Sequence, residues 1–316
     1  MSSLPAPGIE RSAPRPAPDR RRSGTTVKAK PAGADSAAQV RSVLIVVPGL
    51  DGGAADSGAV ELVRILSDGG YRPTVAARAG RLVADVRAAG GEFIALDTAT
   101  RNPFLTLRNA AVLTRFVREH RCVAVHALGR ASAWSAYAAA RLTGVPFLTS
   151  WYKGFRQQNI FKRLYNGILA RGDRVIAVSE QLAHLINERY GTPWSRIAVV
   201  PVSVDLDQFN PAQISAERLE AVRRAWGVTA HTKVILVTGR ILRRKGHHVV
   251  VRAVKRLKER GLKNFLCVFV GEDRGRTHYT GELWDLVLAS GGVDVIRMAA
   301  PVTDMAAAYA AASVVV

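Results

Sequence analysis

At 316 residues the chain is too long for one ordinary core and long enough for two domains. A hydrophobic content of 48% excludes a wholly disordered polymer, two cysteines exclude a disulfide framework, and no apolar run reaches the roughly 18–20 residues that span a bilayer. The formal charge of +20 calls for an anionic partner, be it nucleotide, phospholipid surface or nucleic acid, although an arginine- and alanine-rich genome would produce the same excess.

Residues 1–40 are rich in Pro, Ala, Ser and Arg, and that composition predicts a disordered basic tail. Its Arg20-Arg21-Arg22 is not followed by an apolar signal core, so the expected location is cytoplasmic, with room for a peripheral contact at the inner face of an anionic membrane. Order begins at Val43–Val47, a run apolar on both faces as a central parallel strand must be, and the glycine-rich turn Pro48–Ala54 follows. Helices and strands then alternate: helix 59–69, strand 74–77, helix 82–89, strand 92–96, helix 105–119, strand 122–125, helix 131–142, strand 146–149, helix 157–170, strand 174–178, helix 179–189, strand 197–200. After a linker at Pro201–Pro211 and a charged helix, a second series begins at Val234. It runs through helix 246–260, strand 265–270, helix 281–288, strand 293–297, helix 305–311 and an apolar end at Ser313–Val316. Short connections between alternating strands and helices predict two Rossmann-like, doubly wound parallel sheets, the first over 41–208 and the second over 209–316. Cys122 and Cys267 fall inside apolar runs and are expected to be small core residues of a reducing compartment.

The segment Val234–Gly246 carries the most chemistry. A buried strand runs into Gly239, a loop bearing Arg240 and Lys245, then Gly246 and a helix. Glycine lets the backbone turn sharply, the helix start offers unpaired N–H groups and positive dipole, and the two cations suit a diphosphate. A solvated basic loop is the plainer reading. Three other places at strand ends have two readings each. Gly52 and Gly53 make either a plain turn or a loop that a ligand approaches closely. Gly271 and Glu272, with Asp273, either line a cleft or prepare a helix start. His126, read as following its strand, is either structural or a ligand contact. No Asp-x-Asp pair or histidine cluster recommends itself as a metal site.

Taken together and in this order, Gly52-Gly53, His126, Ala177–Glu180, Pro201–Asp205, Gly239-Arg240 with Lys245-Gly246, Gly271-Glu272 and Asp304–Val316 resemble the GT-B glycosyltransferases, and more narrowly glycosyltransferase family 4, group 1. The resemblance covers Val43 to Val316. It implies a hexosyl-type transferase that moves a sugar, with retention and without an obligate metal or other cofactor, from a nucleotide diphosphate sugar to a saccharide or lipid-linked acceptor such as lipopolysaccharide or envelope polysaccharide. Arg240 and Lys245 would neutralise the diphosphate, His126 would touch the donor sugar, and Gly52, Gly53, Gly239, Gly246, Gly271 and Glu272 would line the donor's place. The chain departs from the family pattern at Leu128, where a second histidine is frequent, and at Val202-Ser203 in place of Asn-Gly. The family's Glu…Glu motif would fall beyond Val316, which leads to the expectation of a C-terminally truncated second domain. A non-catalytic acceptor- or membrane-binding protein is the alternative. Phe155–Arg174 interleaves apolar and basic residues at helical spacing and fits an interfacial helix as well as an ordinary one. A nucleic-acid partner is not expected, because the basic residues are not interleaved with aromatics along one face.

Overall fold

The computed structural model describes residues 41–154, 159–273, 275, 277–300 and 302–316. The predicted tail 1–40 and the start of the interleaved segment, Phe155 and Arg156, lie outside the described residues. The chain divides into two compact units, one ending at Val200 and one from Pro201 to Val316.

In the first unit the order is β1 (Ser42–Gly49), α1 (Ala54–Asp68), β2 (Arg72–Arg78), α2 (Val83–Ala88), β3 (Glu92–Ala95), α3 (Pro103–Glu119), β4 (Ala124–Ala127), α4 (Arg130–Thr143), β5 (Phe147–Trp151), α5 (Ile160–Asn166), β6 (Arg174–Ala177), α6 (Glu180–Tyr190) and β7 (Ile197–Val199). The sheet runs β3-β2-β1-β4-β5-β6-β7 with parallel pairing throughout. Side chains alternate across a strand, so β1 feeds two cores. Leu44 and Val46 pack with Leu113, Phe147 and Trp151 on one face, while Val43, Ile45 and Val47 pack with Val63 and Val86 on the other. Burying one such side chain is worth about 1.5–3 kcal/mol, which is why this strand reads as continuously apolar.

The second unit contains α7 (Ala216–Trp226), β8 (Lys233–Thr238), α8 (His247–Glu259), β9 (Phe265–Val270), α9 (Thr277–Ala289), β10 (Ile296–Ala299), α10 (Met305–Ala311) and β11 (Val314–Val315), in a parallel sheet ordered β10-β9-β8-β11. The same alternation sends Leu266, Val268 and Val270 to one face and Phe265, Cys267 and Phe269 to the other. A two-pronged pair from Arg218 to Asp304, at 2.7 and 2.9 Å, ties the start of α7 to the cap of α10. That guanidinium, with the Ala307 amide, holds the Asp304 carboxyl down to about 2. Both cysteines are buried, and loss of hydration pushes Cys122 up to about 11 and Cys267 up to about 12.

Three expectations need correction, the first being the predicted strand 293–297: residues 293–295 form a turn, and the ladder to β9 places β10 at Ile296–Ala299. The predicted strand 122–125 is displaced to Ala124–Ala127, because its ladder to β1 pairs Val43 with Ala124 and Val46 with Ala127. His126 therefore lies within β4, not after it. The predicted helix 157–170 is broken: α5 ends at Asn166, and a tighter turn over Gly167–Arg171 carries the chain to β6. Asn159 caps α5 by accepting from the Lys162 amide at 2.9 Å, and Gly167 ends it.

Candidate functional site

Each sheet reverses its winding direction once, and open α/β sheets bind ligands outside the carboxyl ends of the strands at such points. In the second unit the reversal lies between β8 and β11, and the loop leaving β8 is the Gly239–Gly246 turn. Gly239 has φ +117, a conformation that side chains disfavour. Its amide donates to the Val270 carbonyl at 3.0 Å, and the Ile241 amide donates to the Glu272 carbonyl at 3.1 Å, so the loops after β8 and β9 are zipped together. Gly271 is required by this contact: a Cβ there would stand 2.0 Å from the Gly239 carbonyl oxygen. A short 3-10 turn over Arg243–Lys245 precedes Gly246, whose φ of +79 starts α8.

Lys245 folds back across the turn, with Cε and Nζ both 3.7 Å from the place a Cβ on Gly239 would occupy. Arg240 and Lys245 are exposed, and among the described residues neither has an ion pair with a carboxylate. Their neighbour Arg243 is engaged instead, by Glu282 and by the ring of Tyr279 at 5.3 Å. The structure thus brings Gly239, Arg240, Lys245, Gly246, Gly271 and Glu272 to one sheet edge. Backbone N–H groups at a 13-residue helix start, a mobile ammonium and a guanidinium fork together suit a polyvalent oxyanion. Asp273 serves the loop, accepting from the Gly275 amide at 3.0 Å and the Thr280 hydroxyl at 3.1 Å.

In the first unit the reversal lies between β1 and β4. Gly52 has φ +95, and a Cβ on it would meet Arg81 Nη2 at 2.3 Å. Gly53 caps α1 with extended backbone and no side-chain acceptor. Sequence reasoning missed the two arginines at this turn. Arg78 pairs with Asp51 at 3.1 Å, and Arg81 donates to the Asp51 carbonyl at 3.0 Å. The sequence signal was their position at the end of the apolar strand β2 and just after it, at the carboxyl edge of the sheet. His126 is 5% exposed, and its Nε2 lies 2.8 Å from Ser150 Oγ on β5. Burial drives its imidazole down to about 4, so it is neutral at ordinary pH. Leu128, at the frequent second histidine's position, is a core side chain at 2% exposure.

His247 is a further residue that the sequence reading does not single out. It opens α8 beside Lys245, is 1% exposed, and stacks edge-on to Phe269 at 5.2 Å with no hydrogen-bond partner on either ring nitrogen. Burial lowers its pKa, and the neighbouring charges of Lys245 and His248 act in the same direction. Among the described residues no group of three or more His, Cys, Asp or Glu side chains could hold a metal ion.

Two parallel doubly wound sheets, each with a glycine turn at its reversal, define the GT-B class. The chain belongs to glycosyltransferase family 4, group 1: the pattern of Glycosyltransferase Family 4 matches residues 55–208 and that of Glycosyl transferases group 1 matches residues 220–316. It is similar to a D-inositol 3-phosphate glycosyltransferase of Nocardiopsis dassonvillei, 33% identical over 196 residues, which are 56% of this chain and 44% of that protein. The chain therefore spans less than half the length of that curated relative. Among solved structures it resembles a glycosyltransferase of Rickettsia africae, with TM-score 0.77 and 27% identity over 87% of this chain and 72% of that one. HepE of Anabaena, solved with UDP and glucose, shares the fold with TM-score 0.72 and 16% identity over 86% of this chain and 73% of that one.

Proposed function

We propose that the protein transfers a hexosyl group from a nucleoside diphosphate sugar to a hydroxyl of a saccharide or lipid-linked acceptor, with retention and without an obligate metal ion. The observation that carries this reading is the pair Arg240 and Lys245, two cations that have no carboxylate ion pair among the described residues, on a glycine turn at the winding reversal of the second sheet. When the bond from the sugar to the diphosphate breaks, negative charge grows on the departing phosphate, and cations there stabilise that charge more than the ground state. His126, neutral and held by Ser150, is assigned a positioning role in the first unit's wall. UDP is the first donor nucleotide to test, since HepE binds it. A phosphorylated polyol is the first acceptor, since the Nocardiopsis relative is named for D-inositol 3-phosphate. Lipopolysaccharide and envelope polysaccharide are the next acceptors.

No described helix is long and apolar enough to cross a membrane. On α5, Ile160, Phe161 and Leu164 are 67%, 77% and 61% exposed beside Lys162 and Arg163, a composition that supports a peripheral contact with anionic lipid.

Calorimetric titration with UDP tests the reading. Each charge-assisted contact is worth about 1.5–3 kcal/mol, so Arg240→Ala and Lys245→Ala should each weaken binding by roughly ten- to a hundred-fold. Wild-type protein that binds no nucleoside diphosphate, or variants that bind as well as wild type, would leave the acceptor- or membrane-binding alternative.

A further inference from the structure

The first unit carries a cavity of about 460 Å³ at the edge where its strands begin. Tyr137 and Arg141 come from the end of α4, Arg171 and Asp173 from the segment entering β6, and Thr192 and Arg196 from the segment entering β7. The Gly52 turn and the loop after β4 sit at the opposite, carboxyl edge of the same sheet, so this cavity is not part of the site described above.

Its charges are not balanced. Both oxygens of Asp173 are committed, one to Arg141 at 2.9 Å and the other to the Phe147 amide at 2.8 Å. Burial opposes that carboxylate's charge, yet the amide, Arg141 and Arg196 hold its pKa below the usual range. Arg141 also lies 5.1 Å from the Tyr137 ring centroid, and Arg171 lies 5.8 Å from the same centroid. Arg141 is accounted for by Asp173 and by the dipole at the end of α4. Arg171 and Arg196 are exposed and, among the described residues, have no ion pair. Like charges gathered around one ring repel, and an oxyanion between them converts that cost into attraction.

A second observation is independent of charge. Thr192, on the cavity's lining, is 3% exposed, and among the described residues its Oγ1 has no hydrogen-bond partner. Asn187 fixes it in place by donating to the Thr192 carbonyl at 2.9 Å. The cavity's volume falls within the roughly 300–1,000 Å³ of small-molecule sites.

We propose that this cavity binds a small phosphomonoester, such as a sugar or polyol phosphate. Arg171 and Arg196 take the phosphate, while the Tyr137 ring and hydroxyl face the rest of the ligand. This inference does not depend on the transferase reading.

The test titrates the full chain with glucose 6-phosphate, with glucose as the uncharged control, and compares wild type with Arg171→Met/Arg196→Met and with Lys245→Gln. Expected is binding of glucose 6-phosphate but not glucose, weakened at least 30-fold in the double variant and kept in Lys245→Gln. Both replaced arginines face solvent, so an unchanged unfolding midpoint shows that the double variant folds. Equal affinity in the double variant, loss of binding in Lys245→Gln, or no preference for the phosphate over glucose overturns the proposal. Sedimentation with phosphatidic acid vesicles separates the sources of phosphate. Vesicle binding that the double variant abolishes, without binding of glucose 6-phosphate, would replace the soluble ligand with a lipid headgroup.

Discussion

The turn after β1 and the turn after β8 begin from the same sequence idea and end in different electrostatic states. Both leave a buried parallel strand at a winding reversal, both contain a glycine at positive φ, and both lie beneath a cation: Arg81 over Gly52 and Lys245 over Gly239. At the first turn the cations are engaged, Arg78 by the Asp51 carboxylate and Arg81 by the Asp51 carbonyl. At the second, Arg240 and Lys245 have no described acid partner while Arg243 is drawn off by Glu282. A glycine turn with a cation is therefore not yet an anion site. What separates a braced loop from a phosphate-holding one is whether a carboxylate already sits where the ligand's charge would go.

The largest expected effect attacks the backbone contact that shapes the second turn. Gly271→Ala puts a methyl 2.0 Å from a backbone oxygen, which no rotamer can relieve. It should destabilise the second unit by about 3 kcal/mol and abolish UDP binding, as followed by thermal unfolding and calorimetry. Gly52→Ala meets the far end of a flexible arginine instead, so its cost should be confined to backbone strain of about 1–2 kcal/mol.

Next in size is an acid sensitivity confined to the first unit. With a folded pKa near 4 against an ordinary value of about 6.5, His126 takes up a proton in the unfolded chain before the folded one does. Stability must then fall as pH drops from about 6.5 to about 4, by up to about 3 kcal/mol. His126→Gln should reduce the loss between pH 7 and pH 4.5 by about 2 kcal/mol in urea unfolding, and an identical pH profile would refute the buried neutral assignment.

The direct challenge to the comparison is a matched pair of charge removals. Lys245→Gln should weaken UDP binding about ten-fold, whereas Arg81→Gln should leave it within two-fold. Equal losses would refute the contrast drawn between the two turns. Smallest is Asp51→Asn: an exposed pair contributes about 0–1 kcal/mol, so the unfolding midpoint should barely move. Its value lies in releasing Arg78, after which phosphate affinity at the first turn should rise measurably by NMR titration.

Much of the fold was legible because its signals are local. β1, β8 and β9 announce themselves as short runs apolar on both faces, and α6 by Ser179, whose hydroxyl accepts from the Leu182 amide at 3.2 Å. The donor-turn residues were legible for the same reason, since strand, glycine and cations are contiguous from Val234 to Gly246. The errors arose where a neighbour decides. Residues 122–127 offer a strand in more than one frame, and only the ladder to β1 selects Ala124–Ala127, moving His126 into the sheet and against Ser150. Helix 157–170 kept its period through Gly167, yet the chain tightens there on its way to β6.

The sequence by itself determined the two strand–helix series, the positions of the glycine turns and the family to which the chain belongs, because propensity, side-chain alternation and capping act within a few residues. Only the tertiary structure decided which cations remain uncommitted. Arg78 finds its carboxylate 27 positions away, Arg141 finds one 32 away and Arg243 finds one 39 away, while Arg240, Lys245, Arg171 and Arg196 form no direct ion pair among the described residues. Charge neutralisation depends on distance in space, and no pattern along the chain encodes which distant carboxylate the fold will deliver.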